Sequence, residues 1–385
     1  MPPNVIQVDQ VDDPRDVVHR AVQALAEGQV IALAGENGYQ VAGSLLSDSA
    51  VQQLQSLFSD FQGQTNNGKS SVSLVLRGPA EIWDYVPKLT KIGRRLVGRG
   101  WPGPFILQLP LAMAESLVGR LPQAVQEWLL SDGMIRLQVP DHPLLAEILK
   151  MSVGPVALVA PEPGVEPTLE TAEEVRRTCG SQVPLILDQG PCPSEKPATV
   201  VYPGEQRFEV FQPGVVPEST LIRLASMIIV FVCTGNTCRS PMAEALCRQL
   251  VAEKLDCSPE ELEKRGIIIL SAGLAAMHGS SASPEAVDLM TERGASLTDH
   301  ASQPLSEEMV LQADSLLVMT RRHQRAILEQ FPEAADRVFL LCHDHDDVTD
   351  PIGGSVDVYR ACANQIEGEI RKWIEKWDFS QDAPS

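Results

Sequence analysis

Apolar and polar positions in the first half of the chain alternate in a way that predicts a mixture of helices and strands. Apolar residues at helical spacing predict a helix over residues 13–27, and an apolar run at 30–34 predicts a buried strand directly after it. Similar stretches, separated by turns rich in Pro and Gly, continue beyond residue 200. This order predicts an N-terminal α/β domain of roughly 200 residues or slightly more.

The pattern becomes more regular after residue 226. Four apolar runs predict strands, at residues 227–233, 266–273, 314–320 and 337–341. Three helices are predicted between and after these strands, at residues 241–254, 283–294 and 356–377. We expect the first of these helices to begin at Pro241 and to be amphipathic. Strands that alternate with helices predict a doubly wound parallel sheet, with the functional site at the carboxyl ends of its strands.

Length and composition narrow the choice of partners and compartment. The chain has 385 residues, so we expect two domains, residues 1–225 and 226–385, with a boundary near residues 218–226. The net charge of −20 argues against nucleic acid as a partner. We see neither a signal peptide nor an apolar run that could span a membrane, so no membrane partner is expected. Eight Cys residues, one of them a candidate nucleophile, fit a reducing cytoplasm.

The first predicted strand of the second half delivers Cys233 to a short loop that ends in Arg239. A loop between a strand and a helix can point several backbone N–H groups inward and so cradle the oxygens of a phosphoryl group. The planar guanidinium of Arg239 can bind two such oxygens, and the positive field favours the thiolate of Cys233. Attack of this thiolate on phosphorus would give a phosphocysteine intermediate, which water then hydrolyses.

The other residues of this segment are predicted to bind phosphate or to shape the loop. They are Thr234, Gly235, Asn236, Thr237, Cys238 and Ser240. Gly235 lets the backbone approach an anion closely, Asn236 tolerates a positive φ, and the hydroxyl of Ser240 can hydrogen-bond the thiolate. This chemistry needs neither a metal nor a cofactor.

Residues 232–244 resemble the low-molecular-weight protein tyrosine phosphatase family, matching its signature V-C-x-G-N-x-C-R-S-P-x-A-E at every fixed position. The resemblance implies a phosphatase that acts on a phosphorylated protein or peptide, with Cys233 as nucleophile and Arg239 as phosphate ligand. It also implies that Asp350, in an Asp-Pro pair late in the chain, is the general acid. The proline restricts the backbone of Asp350 and so helps to fix its carboxylate.

Two positions bear on which phosphoryl group is removed. The loop resembles the protein-arginine-phosphatase branch of the family, in which a Thr occupies the position of Thr237. A hydroxyl there favours a guanidinium and crowds an aryl ring, and Asp350 could also pair with a guanidinium. Ile352 stands where the family usually has an aromatic residue, which weakens a phosphotyrosine assignment. We therefore favour phosphoarginine, with an ordinary protein tyrosine phosphatase as the alternative.

Several further residues have two interpretations. Cys238 lies in the same loop as the nucleophile and could trap an oxidised Cys233 as a disulfide, which would make the enzyme redox-sensitive. His343 and His345 lie in an acidic segment that we interpret as a solvated loop and not as a metal site. His300 has no catalytic partner in the sequence and is expected to be structural or exposed.

The first half resembles the YrdC/Sua5 family over about residues 12–217. The motifs that carry this resemblance are Glu36-x-x-Tyr39, Trp-Pro-Gly-Pro at 101–104, Val-Pro-Asp-His-Pro at 139–143, Asp-x-Gly at 188–190, Thr-Val-Val at 199–201 and Pro-Gly at 213–214. The resemblance implies a mixed α/β domain that makes threonylcarbamoyl-adenylate for tRNA modification. Gln138 and Gln212, however, stand where the family has Arg, and Ala198 stands where it has Ser.

These replacements remove positive charge and hydroxyl groups that an ATP site needs. Lys69 is the one obvious basic side chain left in the corresponding region. We therefore expect the first domain to be catalytically silent, with no identified ligand. A tRNA-modification protein with an accessory phosphatase domain is the alternative.

Overall fold

The computed structural model describes residues 3–36, 38–63, 71–161, 169–192, 196–344 and 346–379. The chain divides into two compact units, which we call unit 1 (Met1–Leu224) and unit 2 (Ala225–Ser385). No helix within the described ranges is long and apolar enough to cross a membrane.

Unit 1 is built on one mixed sheet. Its strands are β1 (Asn4–Gln7), β2 (Ile31–Ala34), β3 (Tyr39–Ser44), β4 (Ser71–Val75), β5 (Phe105–Pro110), β6 (Met134–Gln138), β7 (Val156–Ala160), β8 (Leu185–Asp188), β9 (Thr199–Pro203) and β10 (Phe208–Gln212). They lie in the order β1-β8-β2-β3-β7-β4-β6-β5-β9-β10, with both parallel and antiparallel pairs. The predicted mixed α/β class is confirmed.

Helices cover part of this sheet. They are α1 (Pro14–Ala26), α2 (Asp48–Gly63), α3 (Ile82–Tyr85), α4 (Lys91–Gly100), α5 (Gln123–Leu129), α6 (Pro143–Met151), α7 (Ala172–Cys179) and α8 (Glu218–Ala225). The helix predicted over residues 13–27 is α1, and the side chain of Asp13 caps it by accepting from the N–H of Arg15. Apolar side chains of α1 and α6 form one core with those of β2, β3, β7 and β8.

Unit 2 alternates strands and helices along the chain. Its elements are β11 (Met227–Cys233), α9 (Arg239–Lys254), β12 (Ile267–Gly273), α10 (Pro284–Glu292), α11 (Glu307–Gln312), β13 (Ser315–Val318), α12 (Arg321–Gln330), β14 (Val338–Leu340) and α13 (Val356–Lys376). All strand pairs of the sheet are parallel, in the order β12-β11-β13-β14. The predicted parallel sheet and its four strands are confirmed.

Every residue of β11 is buried, because this central strand has an apolar layer on each face. One layer contains side chains of α9, α10 and α13, and the other contains side chains of α11 and α12. The residue after Cys233 therefore leaves the sheet from its centre, where the loops after the neighbouring strands can surround it.

Two predictions for α9 were wrong. The helix begins at Arg239, two residues before the predicted start at Pro241, so the last residues of the signature belong to its first turn. It is also buried on most of its circumference and not amphipathic, because it packs between β11, β12 and α13. The sequence analysis did not predict α11 or α12, because each helix is mostly polar and buries only a short apolar stripe.

Candidate active site

The loop from residue 234 to 238 closes tightly against the end of β12. Cys233, the last residue of β11, lies beside Gly273 in the parallel register and is 2% exposed. A Cβ atom on Gly273 would come within 2.6 Å of the carbonyl oxygen of Thr234 and 2.8 Å of the backbone nitrogen of Asn236. Only glycine leaves room for the loop at this point.

Asn236 holds the loop in shape. Its φ is +55°, as the sequence predicted for this position, and its side chain is fully buried. The amide Nδ2 donates to the hydroxyls of Ser240 (3.0 Å) and Ser271 (2.9 Å), and Oδ1 accepts from the backbone N–H of Gln303 (2.8 Å). The backbone N–H of Asn236 points at the sulfur of Cys233, 3.2 Å away. One buried residue thus links the nucleophile to three other segments of unit 2.

His300 supports the same residue from outside the loop. Its Nε2 lies 2.8 Å from the carbonyl oxygen of Asn236, and because a carbonyl only accepts, Nε2 carries the proton. The expectation that His300 is structural or exposed missed this contact. No sequence signal connects His300 with residue 236, since the two are brought together only by packing.

Ser240 lies directly beside the nucleophile. Its Oγ is 3.0 Å from Sγ of Cys233 and 3.2 Å from the carbonyl oxygen of Ala272. A serine hydroxyl has one proton, so Ser240 can donate either to this carbonyl or to the sulfur. A thiolate at Cys233 would therefore have two donors within reach, the hydroxyl of Ser240 and the N–H of Asn236.

Arg239 and Asp350 form an ion pair. Nη2 of Arg239 lies 2.6 Å from Oδ2 of Asp350, and Nη1 lies 3.4 Å from the carbonyl oxygen of Val348. The arginine side chain is only 6% exposed, whereas that of Asp350 is 47% exposed. The segment that carries Asp350 follows β14, and the N–H of Val348 within it donates to the carbonyl oxygen of Met319, the residue after β13. The ion pair thereby joins the late Asp-Pro segment to the loop that contains Cys233.

Thr237 and Cys238 differ in their surroundings. Cys238 is buried, with its sulfur 3.4 Å from the hydroxyls of Ser283 and Tyr359. Burial raises the pKa of Tyr359 to about 12, so its phenol stays protonated. Thr237 is partly exposed, and its hydroxyl has one contact in the described structure, 3.7 Å from the sulfur of Cys238. A ligand can therefore reach this hydroxyl.

The remaining predicted positions lie at the loop surface. Thr234 is exposed, and Gly235 is partly exposed. A Cβ on Gly235 would meet only the hydroxyl of Thr237, at an ordinary 3.5 Å. The protein itself therefore has room for a Cβ at position 235. Ile352 is 71% exposed and lies two residues beyond Asp350.

His323 is a buried residue near the loop that the sequence analysis missed. Its Nε2 lies 2.9 Å from the hydroxyl of Thr234, and its Nδ1 lies 3.0 Å from the hydroxyl of Thr320. Burial, together with the nearby charge of Arg239, lowers the pKa of His323 to about 4, so the ring is neutral near pH 7. Thr320 caps α12 and His323 is the third residue of that helix, which is the one signal that could have suggested their contact.

In the acidic segment, Asp347 accepts from the backbone N–H of Arg321 at 2.8 Å, and His343 contacts Glu369. His343 is not isolated in solvent. Its Nδ1 and its backbone N–H both lie 2.9 Å from Oε2 of Glu369, and its ring packs on Trp373. His345, which we had considered with it, lies outside the described residues.

In unit 1, the replaced positions share one cleft. Gln138, Ala198 and Gln212 all line it, together with Glu36 and Arg136. Lys69 lies outside the described residues. Among the residues that the structure describes, one arginine lines the cleft. It is Arg136, two positions before Gln138 on β6.

Family models match both parts of the chain. Residues 228–382 match the model described as low molecular weight phosphotyrosine protein phosphatase. Residues 23–214 match the model of the Sua5, YciO and YrdC proteins, described as telomere recombination. The two resemblances seen in the sequence are confirmed.

Individual relatives match the phosphatase-like part of the chain. A protein-arginine-phosphatase of Bacillus subtilis strain 168 is 41% identical over 150 residues, which are 38% of this chain and 93% of that protein. A protein-arginine-phosphatase of Geobacillus stearothermophilus is 39% identical over 157 residues, 40% of this chain and 97% of that protein. The low molecular weight protein-tyrosine-phosphatase PtpB of Staphylococcus haemolyticus is 33% identical over 143 residues, 36% of this chain and 92% of that protein.

Proposed function

Through residues 228–382 this chain belongs to the low molecular weight phosphotyrosine protein phosphatase family and is a cysteine-dependent phosphatase, and we propose that it removes phosphate from phosphoarginine in proteins. The observation that carries the proposal is the ion pair of Arg239 with Asp350 beside the loop of Cys233. A nucleophile, a phosphate-binding guanidinium and an acid are the three groups that such a reaction requires.

In the first step, the thiolate of Cys233 attacks phosphorus. The guanidinium of Arg239 exchanges Asp350 for two of the three phosphoryl oxygens, and the backbone N–H groups of residues 234–238 bind the third and share the other two. The S–P bond forms as the P–N bond to the substrate guanidinium breaks. Asp350, released from its ion pair as a half-exposed carboxylate, takes up a proton from the solvent and gives this proton to the departing nitrogen.

In the second step, water hydrolyses the phosphocysteine. Asp350, now a carboxylate, takes a proton from the attacking water as the O–P bond forms. The S–P bond breaks, and its electron pair returns to the sulfur of Cys233. The hydroxyl of Ser240 and the N–H of Asn236, at 3.0 and 3.2 Å, stabilise the thiolate that leaves.

Two side chains support phosphoarginine over phosphotyrosine. The hydroxyl of Thr237 is accessible and has only a long contact to a sulfur, so it can accept a hydrogen bond from a substrate guanidinium. Ile352 is exposed beyond Asp350 and offers no aromatic face for a phenyl ring. The names of the relatives at 41% and 39% identity support the same choice, whereas the relative at 33% is named for tyrosine.

The test compares phosphate release from peptides that carry phosphoarginine or phosphotyrosine. We expect the wild type to prefer phosphoarginine in kcat/KM by at least about tenfold, and Thr237→Ile to lower or reverse that preference. Thr291→Ile, on the exposed side of α10, is the matched control and should leave the preference unchanged. A wild type that prefers phosphotyrosine would replace our proposal with an ordinary protein tyrosine phosphatase.

We propose in addition that Cys238 protects the nucleophile from irreversible oxidation. Peroxide would convert Cys233 to a sulfenic acid, and the thiol of Cys238 would then displace water to form a disulfide that thiols can reduce. All eight cysteines are free in the structure, which fits a reducing compartment such as the cytoplasm. After peroxide and then dithiothreitol, the wild type should recover activity and Cys238→Ser should not. Equal recovery of both proteins would contradict this role.

We propose that unit 1 is silent in threonylcarbamoyl-adenylate synthesis. In support, Gln138, Ala198 and Gln212 line the cleft where an ATP site would need positive charge and hydroxyl groups. Binding of ATP to the full-length chain, with and without threonine and bicarbonate, tests this proposal. Tight ATP binding that depends on both would instead support a tRNA-modification protein with an accessory phosphatase.

A further inference from the structure

One face of α13 carries a row of side chains with polar contacts outside the helix. α13 has 21 residues, and side chains three or four positions apart lie on the same face of a helix. The row consists of Tyr359, Cys362, Gln365, Glu369 and Trp373. The hydroxyl of Tyr359 meets the sulfur of Cys238 in the loop of residues 234–238. The other four side chains contact residues 341–350, which we call the Asp350 segment.

The contacts at the start of the Asp350 segment are short. Nε1 of Trp373 donates to the carbonyl oxygen of Leu341 at 2.8 Å. Oε2 of Glu369 accepts from both the backbone N–H and Nδ1 of His343, each at 2.9 Å. Burial by itself raises the pKa of Glu369, but the ammonium of Lys372 and the donors of His343 outweigh it and lower the pKa. Glu369 is therefore a charged anchor for this end of the segment.

The contacts nearer Asp350 are longer. Nε2 of Gln365 lies 3.4 Å from the carbonyl oxygen of Asp347, and the thiol of Cys362 donates to the carbonyl oxygen of Thr349 at 3.4 Å. Burial raises the pKa of Cys362 to about 12, so this thiol remains a donor near pH 7. The Asp350 segment thus runs along α13 in the antiparallel direction. The last of the four contacts is at Thr349, directly before the acid.

The ion pair with Arg239 cannot hold Asp350 throughout the reaction. It is present in the free enzyme, with 2.6 Å between Nη2 and Oδ2. In the proposed first step, the guanidinium exchanges this carboxylate for phosphoryl oxygens. A general acid must nevertheless remain within hydrogen-bond distance of the departing nitrogen. Other contacts must therefore fix the Asp350 segment while the ion pair is broken.

Residues 347 and 348 are also held from the side of β13 and α12. The N–H of Val348 donates to the carbonyl oxygen of Met319 at 2.8 Å, and Asp347 accepts from the N–H of Arg321 at 2.8 Å. These two contacts are at neighbouring residues, so they do not by themselves fix the direction of the segment. The contacts with α13 are spread over residues 341–349 and can fix it.

We propose that Gln365 and Glu369 are positioning residues for the general acid. They hold the Asp350 segment against α13, so that Asp350 stays at the leaving group after Arg239 has bound the phosphoryl group. Neither residue touches the substrate in this role. The role rests on the proposed function, since Asp350 has to act as an acid for its position to matter. Loss of either side chain should impair protonation of the leaving group and leave phosphate binding unchanged.

Gln365→Ala tests the side-chain amide that contacts Asp347. In the full-length protein, we expect kcat for a phosphoarginine peptide to fall about fivefold to thirtyfold, a fraction of the roughly hundredfold or larger contribution of a general acid. With aryl phosphates of graded phenol acidity, the loss should shrink to less than about twofold for the most acidic phenol, which leaves without a proton. The inhibition constant of inorganic phosphate should stay within about twofold of the wild-type value, because Cys233 and Arg239 are unchanged.

Glu369→Gln tests the charged anchor. The amide keeps an acceptor oxygen for His343 but loses the charge that pairs with Lys372. We therefore expect the same dependence on the leaving group with a smaller loss of kcat, about twofold to tenfold. Glu375→Gln, on the exposed side of α13, is the control of equal charge change, and Gln330→Ala, exposed on α12, is the control for loss of an amide. Both controls should have the wild-type kcat.

A double-mutant cycle separates positioning from a general weakening of the fold. In the Asp350→Asn background, Gln365→Ala should cause no further loss of kcat, because no acid is left to position. Far-UV circular dichroism verifies that each variant is folded. The proposal is overturned if Gln365→Ala leaves kcat unchanged, if its loss is uniform across the aryl phosphates, or if the two losses multiply. A wild type that prefers phosphotyrosine would refute the phosphoarginine assignment alone, since the series and the cycle measure Asp350 with either substrate.

Discussion

Arg239 of unit 2 and Arg136 of unit 1 differ in whether a carboxylate pairs with the guanidinium. Arg239 is almost fully buried but has a carboxylate at 2.6 Å, within a loop whose central Asn236 has a partner for each polar group. Arg136 has one carboxamide partner and no carboxylate in the described structure. The loop therefore has its charged and polar groups paired in the absence of substrate. The cleft leaves its guanidinium without a carboxylate partner among the described residues.

The largest effect on activity is expected from the loss of the nucleophile, Cys233. Cys233→Ser should lower phosphate release from phosphoarginine by at least about a thousandfold, because a serine hydroxyl without a base is a weak nucleophile. Single-turnover and steady-state assays measure this loss. Cys257→Ser, a partly buried thiol elsewhere in unit 2, should retain nearly full activity. Hydrolysis that survives in Cys233→Ser would contradict the phosphocysteine mechanism.

Removal of the acid should have the next largest effect, and the effect should depend on the leaving group. Asp350→Asn should lower kcat about a hundredfold or more for poor leaving groups, and much less for an acidic phenol that needs no proton. A series of aryl phosphates of graded phenol acidity measures this dependence. Asp336→Asn, at an exposed position, is the control. A uniform loss across the series would mean that Asp350 acts only by holding Arg239.

The hydrogen bonds of Asn236 should contribute measurably to the free energy of unfolding. Asn236→Ala should cost about 2–4 kcal/mol in the free energy of unfolding, because buried groups of Ser271 and Gln303 lose their partner and alanine is strained at positive φ. Asn236→Gly keeps the backbone conformation and should cost about 1 kcal/mol less. Denaturant titration measures both variants. Equal losses would show that φ contributes nothing.

His323 should make unit 2 sensitive to acid. Its pKa is about 4 in the folded protein and 6.5 in the reference state, so between these values the unfolded chain binds the extra proton. Stability should therefore fall as pH decreases from 6.5 to about 4, by at most about 3 kcal/mol, and no further below that. His323→Gln should lack this component.

Urea unfolding at several pH values measures the difference between the wild type and His323→Gln. His278→Gln removes an exposed histidine and should follow the wild-type profile. Parallel profiles for the wild type and His323→Gln would show that burial does not keep this ring neutral.

The smallest predicted effect is an increase in stability. Arg136→Gln should raise the melting temperature by about 1–3 °C, since it removes a partly buried charge that has no carboxylate partner among the residues that the structure describes. Differential scanning calorimetry without carboxylate buffers measures this change. Destabilisation by Arg136→Gln would mean that the guanidinium is already compensated in the free protein.

Several features could be read directly from local sequence. The strands of unit 2 are continuous apolar runs, and the positive φ of Asn236 follows from its place in a tight turn between a strand and a helix. The character of α9 could not be read in the same way. Its burial on several sides depends on α13, which lies more than a hundred positions further along the chain.

The sequence by itself determined the local geometry of residues 233–240, because a strand, a short loop and a helix start are specified by neighbouring residues. It also predicts, from Gln138 and Gln212, that unit 1 has fewer positive charges than a nucleotide site needs. Only the tertiary structure decided that His300 and His323 support the loop, and that Arg136 has no carboxylate partner in the described cleft. Contacts between distant segments depend on how whole elements pack, and no local pattern encodes them.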